Sequence, residues 1–455
     1  MDTLRNKIFN MSLRMKPFVF SVGFISIYLA ILPASSFDFD HAFPFVVSNV
    51  LLIFFLFYLF CSVEDTFRPE ILFPLIFLIV LTTGTLELQR DVLIEQWFSY
   101  SLGIVGFYCG IFLCRVFFNY SGTSKKYEYS LFYVKLFIFT FFVVGFLCTV
   151  YVYQKTGIPI LSEDVNVVRY NVSANAYIST LGKLIEVAFV LAVLYFFRER
   201  KELNRNNLLL LIIIITSILF AVLTGSRNAL LKSVLIVLIG YHYYIAQIRP
   251  AFLVVTAMCS FFYVGTIGFY RNLSAYGPAI LKNFTSDFGD FFTYLNAWWH
   301  FVSIQLTVSV DNFSQLLNVV PSIKDIQYGR LLISPFILWL PGEQAKPGVL
   351  VKQAIGGEWQ GGASVTLLGA FYYDFGFLGV FFGMLMVGVL LKVLHRKAVE
   401  NDGVIFVLLY SYMLYNSFVS IRSNFTQGFD FVFFPAAFIA FHLFTVRRKC
   451  IYRVA

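Results

Sequence analysis

Long apolar stretches separated by short polar turns dominate the chain. About twelve of them approach the roughly 20 residues that a helix needs to cross a bilayer core about 30 Å thick. Their polar and apolar residues do not alternate, and backbone groups inside a bilayer must bond within the segment, so we predict helices. The predicted segments are Phe18–Leu32, Ala42–Phe60, Ile71–Leu86, Phe98–Phe118, Leu131–Val152, Ile178–Phe197, Leu208–Leu223, Leu230–Ile245, Ala251–Tyr270, Ala363–Leu391, Val404–Val419 and Phe431–Val446. The pattern predicts an all-α polytopic integral membrane protein, with residues 1–455 forming a single membrane domain.

The composition agrees with this prediction. Hydrophobic residues make up 59% of the chain and charged residues only 13%, whereas a soluble domain is about a quarter charged. The 6 cysteines and 5 histidines show no disulfide or zinc spacing. No Gly-rich phosphate loop or Walker motif is present, which argues against an ATP-driven pump. We therefore expect no cofactor and no metal, and we interpret Asp38 and Asp40 as solvated charges in the first outer loop.

Basic residues predict the orientation in the membrane. Lysine and arginine in short loops favour the cytoplasmic side, and with twelve crossings all the basic clusters fall on one side. The clusters are Arg5 to Lys16, Lys125 with Lys126, Arg198 to Arg205, Lys392 to Lys397 and Arg447 to Lys449. Both termini are then cytoplasmic, and the first apolar segment is a retained helix. The net charge of +9 reflects this topology and no nucleic-acid partner is indicated.

A long loop between the ninth and tenth segments carries much of the polar chemistry. It runs from residue 270 to Gly362 and lies on the predicted outer side. Two of its apolar stretches, Phe291–Val310 and Leu331–Pro341, are too short or interrupted to span. Tryptophan in both stretches is typical of helices at a membrane interface, where they could hold a lipid-linked substrate. A re-entrant pair is the alternative.

Three arginines stand on the predicted outer side at the ends of apolar segments. Arg227 lies in a very short turn, Arg271 follows Tyr270 at the predicted end of the ninth helix, and Arg422 lies in the last outer turn. A charge near membrane depth costs free energy unless it faces a polar cavity or a partner. Guanidinium binds phosphate in bidentate fashion, so we predict that these arginines bind a diphosphate. Snorkelling to headgroups, or pairing of Arg422 with Asp430, is the alternative.

Three outer groups could act as a general base. Glu358 lies in the Gly-rich segment Gly356–Gly362 beside Trp359, which could stack on a sugar, although the segment could also be a flexible turn. Asp374 lies within the tenth segment, where it could have a purely structural role. His300 in the long loop is the third catalytic candidate.

Several short patterns resemble one family, the Wzy-type polymerases of O-antigen, enterobacterial common antigen and capsular repeat units. Gly225–Ala229 resembles the family's small-small-Arg turn, and Arg271 resembles the arginine that begins its large periplasmic loop. The segments Ser334–Gly342 and Gly361–Gly369 resemble its proline-tryptophan segment and the helix entrance that follows. Arg422 with Asp430 resembles its last outer turn. The similarity covers the second half of the chain, whereas the first helices match only in general character.

The resemblance implies an architecture similar to the lipid-dependent glycosyltransferases of the GT-C type. It also implies transfer of a glycan from undecaprenyl diphosphate to another lipid-linked repeat unit at the outer face of a bacterial inner membrane. No nucleotide sugar is then needed, and a chain-length regulator is an expected partner. The alternatives are an O-antigen ligase, a polysaccharide flippase or other transporter, and a structural subunit. Transporters are expected to line a central path with charged residues, and few charges lie within these predicted helices.

Overall fold

The fold is described from a computed structural model of the chain. The residues described are 52–60, 65–86, 94–117, 125–162, 165–174, 176–198, 205–276, 298, 307–338, 340, 346–357, 362–400, 403–425 and 428–452.

Nearly all of the described chain is helical. The helices are α1 (52–60), α2 (Pro69–Leu86), α3 (Ile94–Phe117), α4 (Leu131–Thr156), α5 (Val165–Ala174), α6 (Ala176–Gly182), α7 (Leu184–Arg198), α8 (Arg205–Leu223), α9 (Arg227–Tyr244), α10 (Pro250–Tyr276), α11 (307–319), α12 (Arg330–Ile337), α13 (Pro347–Ala354), α14 (Leu367–Glu400), α15 (Val404–Ser420) and α16 (Asp430–Thr445). The strands are β1 (Lys125–Tyr129) and β2 (Val446–Tyr452), and a short 3-10 turn, Pro159–Leu161, follows α4.

The apolar segments predicted from Ile71 onward all coincide with helices. Of the two earlier segments, Phe18–Leu32 lies outside the described residues and Ala42–Phe60 is described only from residue 52. Five helical stretches in the described chain are long and apolar enough to cross a membrane: Glu95–Phe117, Leu131–Leu161, Tyr177–Arg198, Pro250–Tyr270 and Leu367–Glu400. Shorter apolar helices are Pro69–Thr85, Leu208–Leu223, Val404–Ser420 and Asp430–Thr445. The chain is thus a helical membrane protein, while the count of twelve crossings stays a prediction.

The helices separate into central and peripheral ones. The most apolar part of the Tyr177–Arg198 stretch is 67% buried, whereas that of Pro250–Tyr270 is only 12% buried. The peripheral helices expose large apolar side chains such as Phe132 and Ile215, which a bilayer would cover. We therefore place α7 and α15 in the interior, with α4, α8 and α10 facing lipid.

Helices α3 and α14 approach each other closely through glycines. A Cβ atom built on Gly110 would lie 2.1 Å from the backbone oxygen of Leu385, and one on Gly106 would lie 2.4 Å from that of Phe381. From the other helix, a Cβ on Gly388 would lie 2.3 Å from the Phe107 oxygen. Small residues let membrane helices pack backbone to backbone, where dispersion contacts provide the attraction. This helix pair depends on the absence of side chains at these positions.

The predicted tenth segment, Ala363–Leu391, is not one continuous helix. Helix α14 begins at Leu367 and is interrupted at Phe375 and Gly376, where Gly376 has φ of 64° and ψ of −153°. Only glycine adopts this backbone region readily. Asp374 is therefore the last helical residue before the break, not a residue inside an unbroken helix.

The two strands pair antiparallel and add a small sheet to the predicted all-α fold. Lys125 lies opposite Tyr452 and Tyr129 opposite Val446. Two of the basic clusters from the sequence, Lys125–Lys126 and Arg447–Lys449, thus lie at the same end of the bundle. We call this the ribbon end. The opposite end, which contains the turns after α4, α8 and α15, is the cavity end.

The described part of the long loop contains the short helices α11, α12 and α13. The apolar stretch predicted as Leu331–Pro341 forms α12, which ends at Ile337. Residues 277–297 and 299–306 lie outside the described residues, so most of the predicted stretch Phe291–Val310 does as well. The position of these helices at a membrane interface stays a prediction.

Candidate functional site

A cavity of about 250 Å³ lies at the cavity end of the bundle. Its walls come from α4, α5, α6, α7 and α8 and from the first residues of α9. Charged, hydroxyl and aromatic side chains all line it, including Lys183, Glu186, Ser217, Tyr153 and Phe220. A concave site with a few convergent polar groups is the usual form of a small-molecule site.

The turn between α8 and α9 forms one edge of the cavity. Gly225 has φ of 57°, which favours glycine. The Thr224 hydroxyl donates to the Ala221 carbonyl at 2.7 Å and accepts from the Ser226 amide at 3.1 Å. Ser226 lines the cavity, and α9 begins at the next residue, Arg227. The turn thus places the amino terminus of α9, where backbone amides favour anions, at the edge of the cavity.

A second close backbone approach shapes the opposite side of the cavity. A Cβ atom built on Gly145 of α4 would lie 2.7 Å from the backbone nitrogen of Ile185 and 3.1 Å from the oxygen of Gly182. Glycine at position 145 therefore lets α4 pack directly on the junction of α6 and α7. That junction contains Lys183, so the contact fixes where Lys183 stands relative to α4.

Four charged side chains form a cluster beside the cavity. Lys232 of α9 lies 2.8 Å from a carboxylate oxygen of Glu186 and 3.4 Å from one of Asp430. Lys183 also bonds the Asp430 carboxylate. The Lys232 side chain is only 7% exposed and its ammonium lies 3.9 Å from the centre of the Phe434 ring. Helices α7, α9 and α16 are therefore joined by charges whose signs alternate, with the buried Lys232 between Glu186 and Asp430.

The cluster is fixed by further contacts. The Tyr412 hydroxyl donates to the Asp430 carbonyl at 2.6 Å, which ties α15 to the start of α16. Lys183 and Glu186 both line the cavity, so the charges extend from the buried Lys232 to the cavity wall. Buried charges need such partners, because removing a charge from water without compensation is expensive.

The predicted arginines differ in their relation to this site. Arg227 adjoins the cavity as the first residue of α9. Arg271 lies within α10, because this helix continues to Tyr276 and does not end at Tyr270 as the sequence predicted. Arg422 is half-buried in the turn after α15, at the cavity end, eight residues before Asp430. Of these three, the described geometry brings the backbone of Arg227 to the cavity.

Asp374 is bound by the backbone of the long loop. Its two carboxylate oxygens accept from the amides of Leu331 at 3.0 Å and Leu332 at 2.9 Å, the second and third residues of α12. The side chain is buried. A carboxylate at this position compensates the unpaired amides and the partial positive charge of a helix amino terminus. Asp374 therefore attaches α12 to α14. The other candidates of the long loop, His300, Glu358 and Trp359, lie outside the described residues.

A separate polar network lies at the ribbon end. The Asp65 carboxylate accepts from the Tyr243 hydroxyl at 2.8 Å and bonds His395 Nε2 at 2.9 Å. His242 Nδ1 accepts from the Ile248 amide at 3.0 Å, so its Nε2, 3.4 Å from Asp65, carries the proton. Burial alone would raise the pKa of Asp65, but the contacts with His242 and His395 hold it well below its usual range.

Beside this network, Glu70 bonds Lys392 and lies 3.4 Å from Arg115. These contacts join α2 to α3 and α14. Because the ribbon end is far along the helices from the cavity, we interpret both groups of charges as structural. Within the described residues, no three His, Cys, Asp or Glu side chains are grouped as metal ligands.

The charged cluster and the hydroxyls of the cavity are not among the residues predicted from the sequence. Lys183 and Glu186 lie in the predicted segment Ile178–Phe197, and Lys232 lies in Leu230–Ile245. Ionisable residues inside an apolar segment are a signal of function by themselves. The signal was present, but the sequence did not show that Lys232 and Lys183 meet Asp430, which lies 198 and 247 positions further along.

The fold and the site together define a class: a polytopic helical membrane protein with a charged cavity at one end of its bundle. A model of the family described as "Putative O-antigen polymerase" matches residues 15–434, nearly the whole chain. The chain belongs to this O-antigen polymerase family, as the resemblance implied, and membership supports a general role in polymerisation. No curated protein and no solved structure gave a match.

Proposed function

We propose that the protein polymerises oligosaccharide repeat units carried on undecaprenyl diphosphate, with the cavity as the active site. The observation that carries this proposal is the cavity itself, where the start of α9 lies near Lys183 and the other members of the charged cluster. The family supports the general activity, and the basic residues at the ribbon end support our proposal that the cavity end lies on the outer side of the inner membrane.

The basic groups at the cavity suit a diphosphate. The Lys183 side chain is 34% exposed, so its ammonium can donate a charged hydrogen bond to a ligand without first being removed completely from water. Arg227 is the first residue of α9, whose amino-terminal amides add partial positive charge, and a guanidinium suits phosphate. We propose that these groups bind the diphosphate of the donor and that Arg271 and Arg422 bind lipid-linked substrate from neighbouring elements.

The reaction benefits from such fixed positive charge. When the sugar leaves the diphosphate, negative charge develops on the leaving oxygen and positive character on the anomeric carbon. Preorganised cations at the diphosphate stabilise the first of these, which is commonly the largest single contribution to catalysis. The reaction then needs neither ATP nor a nucleotide sugar.

The acceptor hydroxyl must also lose a proton. The sequence offers Glu358, Asp374 and His300 as general bases, with Trp359 as a sugar-stacking group. We propose a structural role for Asp374, because both of its oxygens already accept backbone hydrogen bonds. Glu358, Trp359 and His300 are proposed to act on the glycan from the long loop.

The test is the length distribution of surface glycan on a gel, in a strain lacking the chromosomal gene. Wild type should restore a ladder, and Arg227→Ala at matched expression should leave a core with one repeat. Arg249→Ala is the control, because Arg249 is an exposed arginine at the ribbon end. If the deletion strain lacks surface glycan and accumulates long lipid-linked polymer, the protein is a ligase. An unchanged ladder in the deletion strain would rule out the proposal.

A further inference from the structure

Two buried hydroxyl groups in the cavity have no hydrogen-bond partner among the residues that the structure describes. They are Oη of Tyr153 on α4 and Oγ of Ser217 on α8. Ser217 is only 4% exposed. A buried hydroxyl without a partner costs stability, because water satisfies it in the unfolded chain. Two such groups in one cavity indicate that a bound molecule supplies the missing partners.

The neighbouring hydroxyls behave differently. Thr149 donates to the Gly145 carbonyl at 2.8 Å and Thr224 to the Ala221 carbonyl at 2.7 Å, and both residues line the same cavity. Serine and threonine in helices usually bond a carbonyl three or four residues earlier in this way. Ser217 lies inside α8 and makes no such bond. Its hydroxyl is therefore available to a ligand.

The surroundings indicate what kind of ligand fits. The ring of Tyr153 stacks on that of Phe220, with centroids 6.3 Å apart and planes 6° from parallel, and both residues line the cavity. Aromatic faces carry partial negative charge that attracts the C–H groups of a sugar ring. Neutral hydroxyls bond sugar hydroxyls, whereas a diphosphate suits a cation such as Lys183. Glu186 also lines the cavity and adds a carboxylate.

We propose that Tyr153, Ser217 and Glu186 form the acceptor-sugar subsite, with Glu186 as the general base. This inference rests on the proposed function. The hydroxyls of Tyr153 and Ser217 bond hydroxyls of the acceptor sugar, while the Glu186 carboxylate accepts the proton of the attacking hydroxyl. The acceptor oxygen forms a bond to the anomeric carbon of the donor, and the bond from that carbon to the diphosphate oxygen breaks. Both electrons of the broken bond leave with the lipid diphosphate, and Glu186 then releases its proton to water.

Lys232 positions the base. Its ammonium lies 2.8 Å from a carboxylate oxygen of Glu186 and so orients the carboxylate. Lys232 is also held by Asp430, so a single basic residue connects the proposed base to the carboxylate that Lys183 bonds. The acceptor and donor subsites are thus linked through the charged cluster.

The experiment uses the full chain in lipid nanodiscs with two lipid-linked repeat units. One is a labelled donor at saturating concentration, and the other is an acceptor with a shortened prenyl chain. Ser217→Ala and Tyr153→Phe each remove one oxygen that has no partner within the described part of the chain. We expect each to raise the KM for the acceptor about fivefold to tenfold, with little change in the KM for the donor and no loss of thermal stability.

Ser411→Ala is the matched control. Ser411 is a fully buried serine on α15 whose hydroxyl donates to the Val407 carbonyl at 2.6 Å. The Ser411→Ala variant should leave the KM for the acceptor unchanged. If wild type forms polymer and both cavity variants keep an acceptor KM within about twofold of wild type, the assignment of the acceptor-sugar subsite is wrong. If wild type forms no polymer from lipid-linked units, the proposed function fails first.

Glu186→Gln tests the base. We expect kcat to fall by about 10² to 10⁴. In wild type kcat should fall at acidic pH, as the carboxylate becomes protonated, and this dependence should be absent in the variant. If Glu186→Gln is isolated as aggregate, Glu186→Asp retains the charge and should fold, with a lower kcat and the acidic dependence still present. A kcat within threefold of wild type in whichever of the two variants folds would overturn the assignment.

Discussion

The ammonium of Lys232 lies 2.8 Å from a carboxylate oxygen of Glu186, and the Lys232 side chain is only 7% exposed. Breaking a buried ion pair by removing one partner is far more costly than replacing both, since the remaining charge is then buried alone. Here the consequence is larger, because Asp430 shares the same ammonium. Lys232 is therefore the residue on which the charged cluster depends.

We predict that Lys232→Met destabilises the folded protein by about 3 to 5 kcal/mol. The double variant Lys232→Met with Glu186→Gln should recover part of this loss, because it leaves only Asp430 with its Lys183 contact. The measurement is thermal unfolding in detergent. Lys324→Met, which removes an exposed lysine, is the control and should change stability by less than about 0.5 kcal/mol. Equal melting temperatures for Lys232→Met and wild type would show that the charged cluster does not stabilise the fold.

Asp374 gives a prediction that separates catalysis from structure. Asp374→Asn keeps one oxygen acceptor for α12, so the cap is weakened but not removed. Asp374→Ala removes the cap and should cost about 0.5 to 2 kcal/mol. If Asp374 is structural, Asn should retain most polymer length on the gel while Ala shortens it. Complete loss of polymer in a stable Asp374→Asn variant would instead support the catalytic role predicted from the sequence.

The sequence predicted the helices better than it predicted the site. Apolar segments such as Val404–Val419 are long, and hydrophobicity alone defines them, so they match helices almost residue for residue. The charged cluster depends on tertiary contacts instead: Lys183 and Asp430 are 247 positions apart. No local spacing shows that two such residues meet. The break in α14 was missed for a related reason, because Gly376 is one glycine among many and its backbone conformation depends on the contacts around it.

The contact between α3 and α14 predicts a strong effect from one methyl group. In Gly110→Ala the new Cβ would lie 2.1 Å from the Leu385 oxygen, so the helices must separate. We expect a loss of about 1 to 3 kcal/mol, the usual cost of overpacking. Val116→Ala is the control on the same helix, because Val116 is 53% exposed and faces lipid. Thermal unfolding checks both variants, and a Gly110→Ala protein as stable as the control would show that the helices are further apart.

The Asp65 network at the ribbon end predicts a specific pH dependence. The pKa of Asp65 is held well below its usual range, so the ionised carboxylate is stabilised more in the folded state than in the unfolded state. Its contribution to stability is then complete above the pKa of an unfolded aspartate, about 3.9, and is lost as the pH falls further through the folded pKa. Asp65→Asn should therefore lower stability by about 2 kcal/mol at pH 7, the scale of hydrogen bonds to a charged group.

The difference between wild type and Asp65→Asn should persist from pH 7 to about pH 4 and shrink below it. Thermal unfolding in detergent across this range measures the difference. Asp325→Asn is the control, since Asp325 is exposed and its replacement should change stability by less than about 0.5 kcal/mol. Polymer synthesis by Asp65→Asn at a temperature where it stays folded should match wild type, because the cavity is at the other end of the helices. A variant that is stable yet inactive would show instead that the ribbon end takes part in the reaction.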